Sequence, residues 1–105
     1  MPPLPPLDAA AAPHERLATC REALDQIDAR LVELLSMRAD LALSIGAAKR
    51  EAGLPIHAPE RETAVIARAA NAARATPGAL DADTAARMFA VIVAETRALQ
   101  QRQTP

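Results

Sequence analysis

From His14 to Ala52 the chain carries no proline and one glycine, Gly46. Its large apolar residues Leu17, Leu24, Leu31, Leu34, Leu35, Leu41 and Ile45 return at three-, four- and seven-residue steps. That is the period of an α-helix with one apolar face. Gly53 is a helix stop signal, and Pro55 prevents continuation. The predicted helix has roughly 38 residues and a length of roughly 57 Å at 1.5 Å per residue. A second helix is predicted from Pro59, where a missing N–H is harmless in the first turn, to about Ala75, ahead of Thr76-Pro77-Gly78. Glu60 and Glu62 suit its N-terminus electrostatically. A third begins near Asp81, a good N-cap, and runs through Phe89, Ile92, Val93 and Thr96 to about Gln103. No alternating pattern suggests a strand, so the expected class is all-α: a three-helix protomer with one very long N-terminal helix.

Five of the nine prolines fall within the first thirteen residues. Residues 1–13 therefore read as a disordered or extended Pro/Ala-rich tail, and 14–105 as the helical domain. Length then becomes an argument. A compact chain of this size has a radius of gyration near 13 Å, so a diameter of roughly 34 Å. A 57 Å helix projects well beyond that, and helices of roughly 25 and 35 Å cannot cover its whole apolar stripe. The expectation is an intertwined homodimer in which the long helix pairs with its copy.

Composition points the same way. Half the residues are apolar, but 27 are alanine; Leu, Ile, Val, Met and Phe together number 25, and Phe89 is the one aromatic. That is a thin core for a monomer, because large side chains supply most burial energy. Twelve basic against thirteen acidic residues leave a net charge of −1, unlike the basic excess of a general nucleic-acid binder. No apolar run is long enough for a membrane span. The N-terminus lacks the basic start and apolar run of a secretory signal, so a cytoplasmic location is expected. Cys20 alone forms neither an internal disulfide nor a cysteine zinc site, and reads as a small packing residue. His14 and His57 are far apart, so no metal or other cofactor is expected. His14 carries no signal; His57, in the interhelical loop, reads as structural filler.

The informative residues are polar ones on apolar faces. Leu31, Arg38 and Ile45 are seven apart and share one stripe, which Arg38 interrupts with a cation. Lys49, eleven residues on, lies about 20° away in azimuth and about 16.5 Å along the axis. Arg21 is about 100° off that face and about 25 Å from Arg38, poorly placed for the same cavity within one chain; in an antiparallel dimer it could reach the partner's cavity. In the third helix, Phe89, Ile92, Val93, Thr96 and Gln100 follow the i, i+3, i+4, i+7, i+11 template, so the stripe ends in a hydroxyl and an amide. In the second, Arg61 and Glu62 each precede an apolar residue, Val65 and Ile66, by four. A cavity with cations, a carboxylate, an amide and a hydroxyl suits a small, dianionic, hydroxylated molecule. No nucleophilic triad or phosphate-binding glycine loop accompanies it. Any chemistry rests on electrostatic stabilisation and confinement.

The run Arg21-x6-Asp28-x9-Arg38-x10-Lys49, then Pro55-Ile56-x4-Arg61-Glu62, then Thr96-x3-Gln100, resembles the all-helical (type II) chorismate mutase family over about residues 17 to 103. The text LDQIDARLVELLSMR with the later AAK is also typical of that family. The resemblance implies an intertwined helical homodimer with two equivalent sites and the cofactor-free rearrangement of chorismate to prephenate in aromatic amino-acid biosynthesis. It implies that Arg38 and Arg61 hold substrate carboxylate, with Arg21 arriving from the other subunit. Lys49 and Gln100 would hydrogen-bond the ether oxygen, where negative charge grows as the C–O bond breaks. With Arg38, these are the expected catalytic groups. Glu62 would bind the ring-hydroxyl region, and Thr96, in place of the family's usual serine, would keep a hydroxyl contact.

One position departs from the pattern. Ala58 stands where many members carry an aspartate that contacts the substrate's hydroxyl region. Ala-Pro-Glu-Arg at 58–61 also resembles the related isochorismate pyruvate-lyases, whose position after the arginine tends to be apolar; here it is Glu62. Glu62 with Gln100 favours the mutase. A mutase for an amino-substituted chorismate is disfavoured by the same glutamate. A non-catalytic helical dimer, or a regulatory module bound to a larger enzyme, is the alternative of another class. Arg38, Lys49 and Gln100 argue against it, since unpaired buried charge is costly.

Overall fold

The computed structural model describes residues 3–103. Met1 and Pro2 of the expected tail, and Thr104 and Pro105 of the expected domain, lie outside them. Three helices make up the regular structure: α1, Pro13–Ala52; α2, Pro59–Ala75; and α3, Ala82–Arg102. No strand occurs among the described residues. The chain is all-α, as the periodicity predicts. It divides into two compact units, one ending at Arg38 and one beginning at Ala39, so that α1 contributes to both.

The first unit opens with residues 3–8, which have no regular structure. A turn follows: the Asp8 carboxylate accepts from the Ala10 amide at 2.9 Å and the Asp8 carbonyl from that of Ala11 at 3.1 Å. The Ala12 carbonyl accepts from the amides of Glu15 and Arg16, both at 3.0 Å. Pro13 thus occupies the first helical position, one residue earlier than the tail boundary read from sequence, because its fixed φ suits that place. Most large apolar side chains of this unit stay exposed in the single chain, Ile27 being half-buried. Leu17, Leu24, Leu34 and Leu35 all do, and Leu31 is 49% exposed.

In the second unit each boundary has a local cause. At the end of α1 the Leu54 amide donates to Lys49 (2.8 Å) and the Gly53 amide to Arg50 (3.2 Å). These two bonds form the Schellman closure. It needs a residue in the left-handed region, and Gly53 has φ 70°. Pro59 begins α2, which ends where the Thr76 amide turns back to Ala73 at 3.2 Å, just before Pro77. The Asp81 side chain caps α3 by accepting from the Thr84 amide at 2.7 Å and its hydroxyl at 3.0 Å. Helices α2 and α3 pack on one another. The buried residues of the unit are Ala42, Gly46, Ala85, Val93 and Gln100, all small or medium-sized except for one amide.

Candidate functional site

The site is best built from Gln100, which is 8% exposed. Its place at the end of the α3 stripe, seven residues after Val93, turns it inward. Its Nε2 donates to the Ala42 carbonyl at 2.8 Å. A helical carbonyl has a second lone pair, so it accepts this bond beyond its own helix bond. The bond fixes which way the amide faces and leaves the second N–H to aim elsewhere.

Three residues on one face of α1, at four-residue steps, seat this turn of α3. Ala42 supplies the carbonyl. Gly46, buried, supplies absence: a Cβ there would lie 3.1 Å from Gln103 Oε1 and 3.5 Å from Gln100 Cγ. Arg50 binds the end of α3, donating to the Gln103 side chain and, at a long 3.5 Å, to the Gln100 carbonyl. A cation is favourable against the negative end of a helix. The sequence reading missed all three. Two small residues four apart were the available signal for close helix approach.

Lys49, half-buried at the end of α1, donates to the Ile56 carbonyl at 3.1 Å. An ammonium has three protons, so this bond steadies the 53–58 loop and leaves donors for a ligand. Across that loop, Glu62 in the first turn of α2 meets Arg97 of α3. Arg97 Nη1 donates to both carboxylate oxygens, at 2.7 and 2.9 Å. The pair is partly enclosed, Glu62 being 23% and Arg97 31% exposed. His57 Nε2 lies 3.1 Å from the same nitrogen and 3.8 Å from the carboxylate. Arg97 was not singled out from sequence, because its partners are 35 and 40 residues away in the chain.

Thr96 is half-buried and donates to the Ile92 carbonyl at 2.7 Å. The neighbour of Glu62, Arg61, is exposed. Arg21 is exposed and Arg38 half-buried; both belong to the first unit. The second unit thus brings Gln100 onto α1 and Glu62 onto α3, and holds Lys49 to the loop before α2. No group of acidic, histidine or cysteine residues suited to a metal ion occurs among the described residues. No helix there is long and apolar enough to cross a membrane.

An all-α unit that turns an amide, an ammonium and a carboxylate toward its helix junctions is the class this geometry defines. The family model for chorismate mutase type II matches residues 20–101. The chain belongs to that family. A chorismate mutase of Methanocaldococcus jannaschii is 28% identical over 88 residues, covering 84% of this chain and 87% of that protein. A bifunctional chorismate mutase/prephenate dehydratase of Aquifex aeolicus is 46% identical over 52 residues. That match covers 50% of this chain, which spans only 14% of the bifunctional protein's length. The form II structure of chorismate mutase from Thermus thermophilus superposes with a TM-score of 0.75 at 29% identity, covering 86% of this chain and 99% of that one.

Proposed function

We propose that the chain is a chorismate mutase of aromatic amino-acid biosynthesis, acting in the cytoplasm as a homodimer. It converts chorismate to prephenate by a concerted rearrangement in which one C–O bond breaks as one C–C bond forms. No proton is transferred, so the residues bind, fold the substrate into its reactive shape and stabilise the polarised transition state more than the ground state. Arg38 and Arg61 hold the carboxylates through planar forks, and Arg21 completes the site from the other subunit. Lys49 and Gln100 donate to the ether oxygen as its charge grows. Glu62 accepts from the ring hydroxyl, and Thr96 contributes its hydroxyl. Residues 1–13 stay outside the catalytic domain.

The observation that carries this reading is Gln100: a buried amide, pre-aimed by a main-chain carbonyl, is worth its desolvation when its second donor meets a ligand. Support for the dimer is the row of exposed leucines in the first unit, which a second copy would cover. One observation favours a second reading. Ala58 leaves α2 without a side-chain cap and brings no carboxylate, as in the pyruvate-lyases the 58–61 text resembles. Incubation of the purified chain with chorismate and, separately, isochorismate decides between them. Prephenate well above the spontaneous rate supports the mutase. Salicylate plus pyruvate as the only rapid products support the lyase. Neither product leaves a non-catalytic helical module.

A further inference from the structure

The pairing of Arg97 with Glu62 has no counterpart in the residues that the family resemblance assigns. We infer that Arg97 is a positioning and specificity residue: its guanidinium holds the Glu62 carboxylate so that the acceptor for a substrate ring hydroxyl is set before the substrate arrives. The inference rests on the mutase reading above and deepens it.

Three observations lead there. Ala58 removes the carboxylate expected at the loop end, and Glu60, two residues before Glu62, is exposed. Hydroxyl recognition at the start of α2 therefore falls on Glu62. A lone glutamate with three side-chain torsions is a poor fixed acceptor, since holding a long side chain costs rotamer entropy. Arg97 removes that freedom by contacting both oxygens, at 2.7 and 2.9 Å. Each carboxylate oxygen has more than one lone-pair site, so a paired carboxylate still accepts an O–H. The third observation is His57. Its Nε2 lies 3.1 Å from Arg97 Nη1 and 3.8 Å from the Glu62 carboxylate, so the loop before α2 meets the pair as well. The guanidinium thus has neighbours on α2 and on the loop, and both bear on its position beside Glu62. The ligand class is a cyclic, hydroxylated dicarboxylate; an analogue without the hydroxyl gains nothing from the Arg97–Glu62 pair.

The test is kcat and KM for chorismate and for a chorismate analogue lacking the ring hydroxyl, with the unaltered chain, Arg97→Ala, Arg97→Lys, Glu62→Gln and the Arg97→Ala/Glu62→Gln double variant. The unaltered chain should prefer the hydroxylated substrate in kcat/KM by about tenfold or more. Arg97→Ala should lose most of that preference, mainly through KM for chorismate, with little change for the analogue. Arg97→Lys should recover part of it, and keeps the test open should the alanine variant fold poorly. In the double variant, loss of Arg97 should add little to Glu62→Gln. Equal losses on both substrates, or fully additive losses in the double variant, would overturn the role of Arg97 while leaving the mutase reading intact. Absence of prephenate from the unaltered chain would overturn that reading, and this inference with it.

Discussion

Residues 3–38 and residues 39–103 use apolar side chains differently, although both leave large ones exposed, Leu41, Ile45 and Met88 among those of the second. The first unit carries Leu17, Leu24, Leu31, Leu34 and Leu35 along one helix and buries none of them within the single chain. The second buries almost nothing large: Ala42, Gly46, Ala85 and Val93 are its enclosed apolar residues, and Gln100 sits among them. Small residues let helices approach until backbone and amide meet, so the second unit has the precision to aim donors. The first has burial energy in reserve and no surface of its own to use it on. A full leucine burial contributes roughly 1.5–3 kcal/mol. Under the proposed function the second unit aims Gln100 and Lys49, while the first supplies Arg21, Arg38 and the leucine row for assembly.

The largest effect should come from breaking the assembly half. Leu24→Glu with Leu31→Glu places two charges on the exposed stripe. A two-fold interface would meet each of them twice, costing several kcal/mol of association. Analytical ultracentrifugation should find the unaltered chain at twice 11.1 kDa and the variant at the monomer mass, with helicity and turnover both reduced. An unaltered chain that sediments as a monomer at assay concentration would remove the dimer and the role of Arg21 together.

Next comes the aiming half. Lys49→Ala should lower turnover by about a hundredfold or more, about 2.7 kcal/mol of transition-state stabilisation. The same variant joins the two halves of the comparison. Lys49→Ala and Arg21→Ala, each nearly inactive, should regain about a quarter of full activity when unfolded and refolded together, because a mixed dimer assembles one complete site from the two chains. No recovery on mixing would place Arg21 and Lys49 in the same chain's site. Near-normal turnover by Lys49→Ala alone would remove Lys49 from the chemistry.

A smaller effect is expected at Gly46, where the second unit's close approach is tightest. Gly46→Ala meets chiefly the flexible end of Gln103, at 3.1 Å, and gains about 1 kcal/mol in helix propensity. Its stability should stay near that of the unaltered chain. Gly46→Val adds methyl groups toward Gln100 and should cost about 1–3 kcal/mol by overpacking. Its kcat should fall more than its KM rises, because Gln100 is displaced from the Ala42 carbonyl. Thermal unfolding and steady-state kinetics on both variants check this. Equal behaviour of the alanine and valine variants would show that the seat is loose.

These regions were not equally legible from the sequence. Helix boundaries were, since Gly53, Pro59 and Asp81 act through their own neighbours within a turn. The inward turn of Gln100 was too, because a 3.6-residue period carries Val93's burial forward by two turns. The Arg97–Glu62 pair was hidden for a geometric reason. Arg97 flanks the apolar stripe instead of interrupting it, and its partner lies on another helix. Arg50 was hidden in the same way beside Lys49. Periodicity tells which face turns inward; it does not tell which two helices meet at a given height.

The smallest effect separates local from tertiary stability within the second unit. The Thr84 amide, with the Thr84 hydroxyl second, holds the Asp81 carboxyl below its ordinary value of 3.8. A carboxyl whose folded pKa is depressed adds stability above its unfolded pKa, and that stability is lost as pH falls through the folded value. Asp81→Ala should therefore have a lower Tm than the unaltered chain at neutral pH, and the gap should close as pH drops below about 3.8. Gln100 lies nineteen residues further along α3, roughly 28 Å away, so kcat at pH 7 should not change. A Tm gap that persists at pH 2 would assign the effect of Asp81 to something other than its charge. A fall in kcat would mean that α3 transmits fraying from its first turn to the amide it aims.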